Sequence, residues 1–273
     1  MTALSVLVTN DDGIAAPGLR YLAQAAMEAG HQVTVAAPSE EASGSSAAMS
    51  AVEKDGRIVV DVRDLKLDGV DAYAVGATPA YITRLALHEA FGPRPDIVLS
   101  GVNRGANTGR AVLHSGTVGA AFTAATAGVR GIAVSLDVLT AAVAAVGSGG
   151  AALRAVDQAD DESRHWATPA RIAVDLMPTL MAEAAGIVLN INAPDVAYAD
   201  LPGVRQAKLA HFGQVEMVIA ERGAGYVRTS IVEEERRPEP GSDLAILADG
   251  YACVTAIRPM IEVDGVSFHG VLS

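Results

Sequence analysis

The sequence predicts an α/β protein with a doubly wound, mostly parallel sheet, and three observations support this fold class. Short apolar runs typical of buried strands alternate with helical patterns along the first half of the chain. Two of these runs end in polar loops rich in asparagine and glycine, as the strands of such sheets do at their carboxyl ends. The 273 residues, 50% of them hydrophobic, suffice for one large core, so we expect a single domain over residues 1–273.

The beginning of the chain contains a strand, a helix and a second strand. Ser5 to Val8 is a short apolar run, and the helix that starts at Pro17 places its apolar residues on one face and stops at Gly30. Val33 to Ala37 forms the second strand. This order implies a right-handed crossover between parallel strands.

The same alternation continues downstream. Further strands are predicted at Ile58 to Val62, Ala72 to Val75, Ile97 to Leu99, Ile132 to Leu136 and Ile187 to Ile191, and helices around Tyr81 to Leu87, at Ser115 to Ala127 and at Pro169 to Ala185. We expect residues 139–162, rich in alanine and glycine, to be a flexible insertion. Residues 206–240 are expected to form a hairpin that contacts another subunit, because a hairpin outside the core cannot bury its own apolar face.

Charge and cysteine content exclude several classes of function. The net charge of −12 repels a polyanion, so polymeric nucleic acid is not an expected partner, whereas a small anion can still bind through backbone amides or a cation. Cys253 is the only cysteine, which excludes an intrachain disulfide and suits a reducing cytoplasm. Glycines and Arg154 interrupt the alanine- and valine-rich stretch Val138 to Val156, so no membrane span is expected there.

Asn10-Asp11-Asp12-Gly13 places two adjacent carboxylates directly after the first strand. Glycine permits a tight turn that keeps both carboxylates close together, where they repel each other. A hard divalent cation would relieve that repulsion through oxygen ligands. The alternative is structural, with one aspartate capping the helix near Pro17 and the other solvated.

A second polar loop, Ser100 to Gly109, combines two asparagines with three glycines and suits close approach of the backbone to a ligand. Ser115-Gly116-Thr117 then opens a helix whose first amides and macrodipole would favour an anion such as phosphate. A plain serine or threonine N-cap explains the same residues equally well.

These residues together resemble the SurE family of survival-protein nucleotidases. The matching segments are Asn10-Asp11-Asp12-Gly13 with Ala16-Pro17-Gly18, Ala37-Pro38 with Ser43-Gly44, Pro95 to Asn103, and Ser115-Gly116-Thr117-Val118, followed by weaker matches at Leu189 to Pro194, Gly241-Ser242-Asp243 and Asp249-Gly250-Tyr251. Their order and spacing match from residue 5 to about 137.

The resemblance implies a Rossmann-like three-layer domain whose C-terminal extension helps to form homodimers or homotetramers. It implies hydrolysis of nucleoside 5′- or 3′-monophosphates with a divalent cation, Mg²⁺ or Mn²⁺. The implied metal ligands are Asp11, Asp12, Ser43 and Asn103, with Asp11 and Asp12 also catalytic, and the implied phosphate contacts are Asn107, Ser115, Gly116 and Thr117. The cation could hold a phosphate oxygen, activate water or do both, and attack by an aspartate is a further alternative.

Four positions depart from the family pattern: Arg110 stands where aspartate is usual, His114 replaces tyrosine, Thr123 replaces glutamate, and Tyr81 follows Thr78-Pro79-Ala80 where aspartate is common. Substrate preference is the property most exposed to these changes. An arginine at position 110 that faced the pocket would favour substrates with additional negative charge, and a solvated loop arginine is the alternative.

Two other functions compete with a nucleotide phosphohydrolase. The altered positions could have converted the site into a nucleotide or phosphate sensor without catalysis. A dinucleotide-dependent oxidoreductase is suggested only by the fold, and the acidic turn at Asn10 to Gly13, in place of a glycine-rich phosphate loop, argues against it.

Overall fold

The computed structural model describes residues 2–140, 161–233 and 237–262. Its strands are β1 (Ser5–Thr9), β2 (Gln32–Pro38), β3 (Glu53–Lys54), β4 (Arg57–Ile58), β5 (Val60–Arg63), β6 (Asp71–Val75), β7 (Ile97–Arg104), β8 (Arg130–Asp137), β9 (Val188–Pro194), β10 (Val204–Gln206), β11 (Val215–Gly223), β12 (Tyr226–Glu233) and β13 (Ala252–Ile257). Its α-helices are α1 (Pro17–Glu28), α2 (Pro79–Leu87), α3 (Gly116–Thr126), α4 (Ala167–Ala182) and α5 (Asp243–Ala248), and short 3₁₀ turns lie at Gly109–His114, Asp161–Ser163 and Tyr198–Asp200.

Within these ranges, a nine-stranded sheet has the order β10-β13-β9-β8-β7-β1-β2-β6-β5. The segment from β9 to β6 is parallel throughout, while β5 and β13 pair antiparallel to their neighbours at its two ends. Starting from β1, the chain adds the parallel strands β2 and β6 on one side of β1 and then crosses to β7 on the other side. The order therefore reverses between β1 and β7, which is where doubly wound folds place their ligands.

Helices cover both faces of the sheet. On one face, α1 and α4 pack through residues such as Leu19, Leu22 and Met177 against β1, β2 and β7. On the other face, α2 and α3 pack through Ile82 and Ala124. The three-layer, mostly parallel α/β prediction is thus confirmed.

The structure corrects the prediction that a loop begins at Ser100, directly after the strand Ile97 to Leu99. Strand β7 continues to Arg104, with an irregular register against β8 between Ser100 and Asn103. The glycine and asparagine content that suggested a loop is compatible with an irregular strand end. Asn103 and Arg104 are therefore held by the sheet.

Two segments singled out in the sequence have different outcomes. A two-stranded antiparallel hairpin, β11 and β12, lies within residues 206–240 and exposes apolar side chains including Met217 (71%) and Val227 (60%). Contact with another subunit stays a prediction, which a strictly monomeric protein at micromolar concentration would contradict.

Most of the expected flexible insertion, residues 141–160, lies outside the described residues. Across the described ranges, no helix combines the length and apolarity needed to cross a membrane.

Candidate active site

A cavity of about 620 Å³ opens at the carboxyl edge of the sheet, beside the ends of β1 and β7. All four predicted metal ligands line it, together with two of the predicted phosphate contacts: Asp11, Asp12, Ser43, Asn103, Asn107 and Ser115. The topology explains this convergence, because β1, β2 and β7 are parallel and end at the same edge. Residues far apart in sequence therefore meet at one cavity.

The Asn10 to Gly13 turn is built as the sequence indicated. Asn10 Nδ2 donates to the carbonyl oxygen of Gly13 over 2.9 Å, and Gly13 N donates back to Asn10 Oδ1 over 3.2 Å. Gly13 has φ +96°, which favours glycine. The N-cap of α1 is Ala16, with no side-chain cap bond, so the capping alternative for Asp11 and Asp12 is wrong.

Asp11 is only 4% exposed, and residues at the start of α3 contact its carboxylate. The Thr117 hydroxyl donates a short hydrogen bond to Asp11 Oδ1. Burial raises the pKa of Asp11, while that hydrogen bond and the backbone amides of Thr117 and Gly116 oppose the rise. A Cβ on Gly116 would lie 2.8 Å from Asp11 Oδ2, so only glycine permits this close approach.

Asp12 is partly buried on the cavity wall. Its Oδ2 accepts a hydrogen bond from the backbone amide of Arg104 over 3.0 Å. Burial raises the pKa of Asp12 to about 7, and the negative charges of Asp11 and Glu41 add to the rise. Burial and mutual repulsion thus disfavour the charged form of the two adjacent carboxylates, and a bound cation would favour it.

Asn103 and Ser43 complete the predicted ligand set from β7 and from the loop after β2. Asn103 Oδ1 lies 3.3 Å from the Thr117 hydroxyl, and its Nδ2 donates to the carbonyl oxygen of Gly105 over 2.7 Å. Ser43 is exposed, and its hydroxyl donates to Glu41 Oε1 over 2.6 Å. Both side chains bring neutral oxygens to the cavity beside the aspartates.

This donor set fits a hard divalent cation. Within the described ranges, neither Asp11 nor Asp12 forms an ion pair with a basic side chain, so their charge is not balanced by one. Carboxylate, amide and hydroxyl oxygens are the ligands that Mg²⁺ and Mn²⁺ prefer. No group of three or more Asp, Glu, His or Cys side chains in the described residues could hold a metal, so the neutral oxygens of Asn103 and Ser43 would be needed as well.

Asn107 is fixed by a buried polar network that the sequence did not reveal. Asn192 Oδ1 accepts from Asn107 N over 2.7 Å, and Asn190 and Asn192 both donate to the Asn107 carbonyl oxygen. The Asn107 side chain donates to Ser135 Oγ over 2.9 Å. The asparagines at 190 and 192, in a late core strand, were the available signal, because polar side chains within an apolar run need buried partners.

The sequence allowed two roles for Ser115-Gly116-Thr117 at the start of α3, an N-cap and a phosphate-binding site. Ser115 is the N-cap, since its hydroxyl oxygen accepts from Val118 N over 3.1 Å, and it also lines the cavity. Gly116 and Thr117 are buried behind Asp11 and support that carboxylate. The structure thus shows contacts of Gly116 and Thr117 with Asp11, and only Ser115 of the three lies on the cavity wall.

Of the four departures from the family pattern, only His114 lines the cavity. Arg110 is exposed and lies outside the cavity wall, so the premise that its side chain faces the pocket is wrong and the solvated alternative holds. The Thr123 hydroxyl donates to the Gly119 carbonyl oxygen within α3, and Tyr81 is partly buried on α2.

The cavity wall also contains residues that the sequence did not single out as site residues: Glu41, Arg104, Asp161 and Trp166. Trp166 is 1% exposed and belongs to the hydrophobic core as well. Arg104 follows Asn103 directly, so its position in the second polar loop was the available signal.

Comparisons with known proteins agree with this fold. The crystal structure of the SurE protein from Aquifex aeolicus superposes with a TM-score of 0.67 at 24% identity, covering 94% of each chain. That likeness shows the fold. A 5′-nucleotidase SurE from Xanthomonas campestris pv. campestris (strain B100) is 33% identical over 260 residues, which cover 93% of this chain and 90% of that protein.

A 5′-nucleotidase SurE from Stenotrophomonas maltophilia (strain R551-3) is 32% identical over 262 residues, with the same coverage of 93% and 90%. The family model described as survival protein SurE matches residues 6–216, a span that contains every predicted metal ligand and phosphate contact. On this match and these relatives, the chain belongs to the SurE family.

Proposed function

We propose that this protein is a metal-dependent phosphomonoesterase that hydrolyses nucleoside 5′- or 3′-monophosphates to nucleoside and phosphate. The observation that carries the proposal is the pair Asp11 and Asp12, adjacent on the cavity wall at the switch point of the sheet, with no ion pair to a basic side chain among the described residues. Relatives named 5′-nucleotidase SurE support a nucleotide as substrate. The cavity of about 620 Å³ has room for a nucleoside monophosphate.

In this proposal, Asp11, Asp12, Asn103 and Ser43 hold a Mg²⁺ or Mn²⁺ ion. A divalent cation bound there would neutralise charge on the phosphate and lower the pKa of water for attack on phosphorus. Thr117 holds the Asp11 carboxylate in place, and the backbone amide of Arg104 does the same for Asp12. The aspartates are thus oriented by neutral donors, which leaves their charge for the cation.

The phosphate group would lie against Asn107 and Ser115. Ser115 accepts a hydrogen bond from Val118 N, so its own hydroxyl hydrogen can donate to a phosphate oxygen. Asn107 uses one N–H of its side-chain amide for Ser135, and the other can donate to the substrate. Both donors are preorganised, which favours binding of developing negative charge.

Phosphate release from a panel of nucleoside 5′- and 3′-monophosphates, with simple alkyl phosphates for comparison, tests the proposed substrate class. We expect release from at least one nucleoside monophosphate in the presence of Mg²⁺ or Mn²⁺, faster than from any alkyl phosphate. Release of phosphate from none of the nucleotides would contradict the proposal. Tight binding of a nucleotide without any release would instead favour a sensor.

A further inference from the structure

The charges on the cavity wall are unbalanced. Among the described residues, four carboxylates line the cavity: Asp11, Asp12, Glu41 and Asp161. In the described part of the chain, Arg104 is the only arginine or lysine that lines it. A phosphomonoester is an anion, so carboxylates on the wall repel it. Asp161 is paired with Arg104 and Arg164, but the charges of Asp11, Asp12 and Glu41 together exceed that of one divalent cation. Among the residues that the structure describes, Arg104 is thus the one permanently charged side chain on this wall that attracts a phosphate.

Arg104 is held firmly on the wall by Asp161. Arg104 Nε donates to Asp161 Oδ1 over 2.8 Å, and Arg164 Nε donates to the same oxygen over 2.9 Å. The Asp161 carbonyl oxygen accepts from the indole N–H of the buried Trp166 over 2.6 Å. Asp161 is therefore anchored by several bonds and shares its charge between two guanidinium groups.

The backbone of Arg104 places it beside the proposed metal site. Its amide donates to Asp12 Oδ2 over 3.0 Å, and Asn103 precedes it on the same strand end. The Arg104 side chain is 29% exposed, and Arg104 lines the cavity. A cation held by Asp12 and a phosphate bound by Arg104 would thus be neighbours.

We propose that Arg104 is a substrate-binding residue that contacts the phosphate group, and that Asp161 is the positioning residue that orients its guanidinium. This deepens the proposed function, since it rests on phosphate being the ligand of the cavity. A guanidinium presents a planar set of donors that matches phosphate oxygens in pairs. Removing such a charge-assisted contact weakens binding on the order of 10- to 100-fold.

Binding of inorganic phosphate, measured by titration calorimetry on the full chain with Mg²⁺ present, tests this assignment. We expect Arg104→Gln to raise the Kd for phosphate by at least about tenfold. Arg104→Lys keeps the charge and should bind phosphate more tightly than Arg104→Gln. Arg110→Gln is the matched control, because Arg110 follows Arg104 closely in the chain but lies outside the cavity wall, and its Kd should equal that of the unmodified protein.

Thermal unfolding of each variant separates a binding role from a structural one. Should Arg104→Gln unfold too readily to be titrated, Arg104→Met takes its place, because it keeps an unbranched apolar stem in the wall. A folded Arg104→Gln or Arg104→Met with unchanged Kd would overturn the assignment. Equal Kd values for the Lys variant and its neutral counterpart, or equal weakening in Arg110→Gln, would overturn it as well.

The outcome for Arg104 and the outcome for the proposed function can be told apart. Nucleotide hydrolysis with an unchanged phosphate Kd in Arg104→Gln would contradict the role of Arg104 in phosphate binding and support the proposed phosphomonoesterase activity. Phosphate binding that depends on Arg104, without hydrolysis of any nucleotide, would support the role of Arg104 in phosphate binding and contradict the proposed phosphomonoesterase activity.

Discussion

Replacing Asp12 with asparagine is expected to lower the rate of phosphate release on the order of 10²-fold or more. The substitution takes one negative charge from the proposed metal site and with it part of the electrostatic stabilisation of the phosphoryl transition state. Asparagine keeps an oxygen that can accept the hydrogen bond from the Arg104 amide. The local structure should therefore persist while the charge is lost.

The effect of Asp12→Asn on stability has the opposite sign to its effect on activity. The folded pKa of Asp12 is about 7, above its ordinary value of 3.8, so without metal this group lowers the stability of the fold as the pH rises between those values. Asparagine does not titrate. In metal-free buffer above neutral pH, the variant should unfold at the same temperature as the unmodified protein or higher.

Asp68→Asn is a matched control, because Asp68 is exposed and lies outside the cavity wall. It should retain full activity. Full activity of Asp12→Asn under the same conditions would show that the Asp12 carboxylate is not required for the reaction. Loss of activity together with a large fall in unfolding temperature would mean that Asp12 serves the fold.

Replacing Gly116 with alanine is the second change with a large expected effect. The added Cβ would lie 2.6 Å from Ser45 Oγ, 2.8 Å from Asp11 Oδ2 and 2.9 Å from Asp11 Cβ, so the aspartate must move. A displacement of about 1 Å in an active site can cost on the order of 10²-fold in rate. We expect a loss of that size in phosphate release.

Gly76→Ala provides the comparison for this prediction. A Cβ at Gly76 makes ordinary contacts of 3.5 Å or more, and Gly76 does not have a positive φ, so this variant should keep both activity and stability. Overpacking at Gly116 is expected to cost about 1–3 kcal/mol of stability, which leaves the protein folded for assay. A folded Gly116→Ala with the unmodified rate would show that the position of Asp11 is not critical.

The fold could be predicted from sequence where pattern and burial agree. Ser5 to Val8 and Val33 to Ala37 are predominantly apolar because both faces of a parallel sheet are covered by helices. The sheet order could not be derived from local pattern alone, because β10 and β13 join the end of the sheet through pairings set by the tertiary structure. Strand β13 was not predicted.

The residues of the candidate site were identifiable, but their supporting contacts were not. Asp11, Asp12 and Asn103 follow strand ends, and the parallel sheet brings strand ends together. The contact between Thr117 and Asp11 depends on how α3 packs against the first loop. The spacing of residues in the sequence does not indicate this packing. Ion pairing between Arg104 and Asp161 joins residues far apart in sequence and was likewise invisible.

Dependence of nucleotide hydrolysis on a divalent cation is the most direct test of the central claim. The protein would be treated exhaustively with EDTA, and phosphate release from the best nucleoside monophosphate would be measured before and after Mn²⁺ or Mg²⁺ is returned. We predict that chelation abolishes release and that either cation restores it, because Asp11 and Asp12 have no basic partner among the described residues to take the place of a metal. Release that continues unchanged after exhaustive chelation would contradict the account.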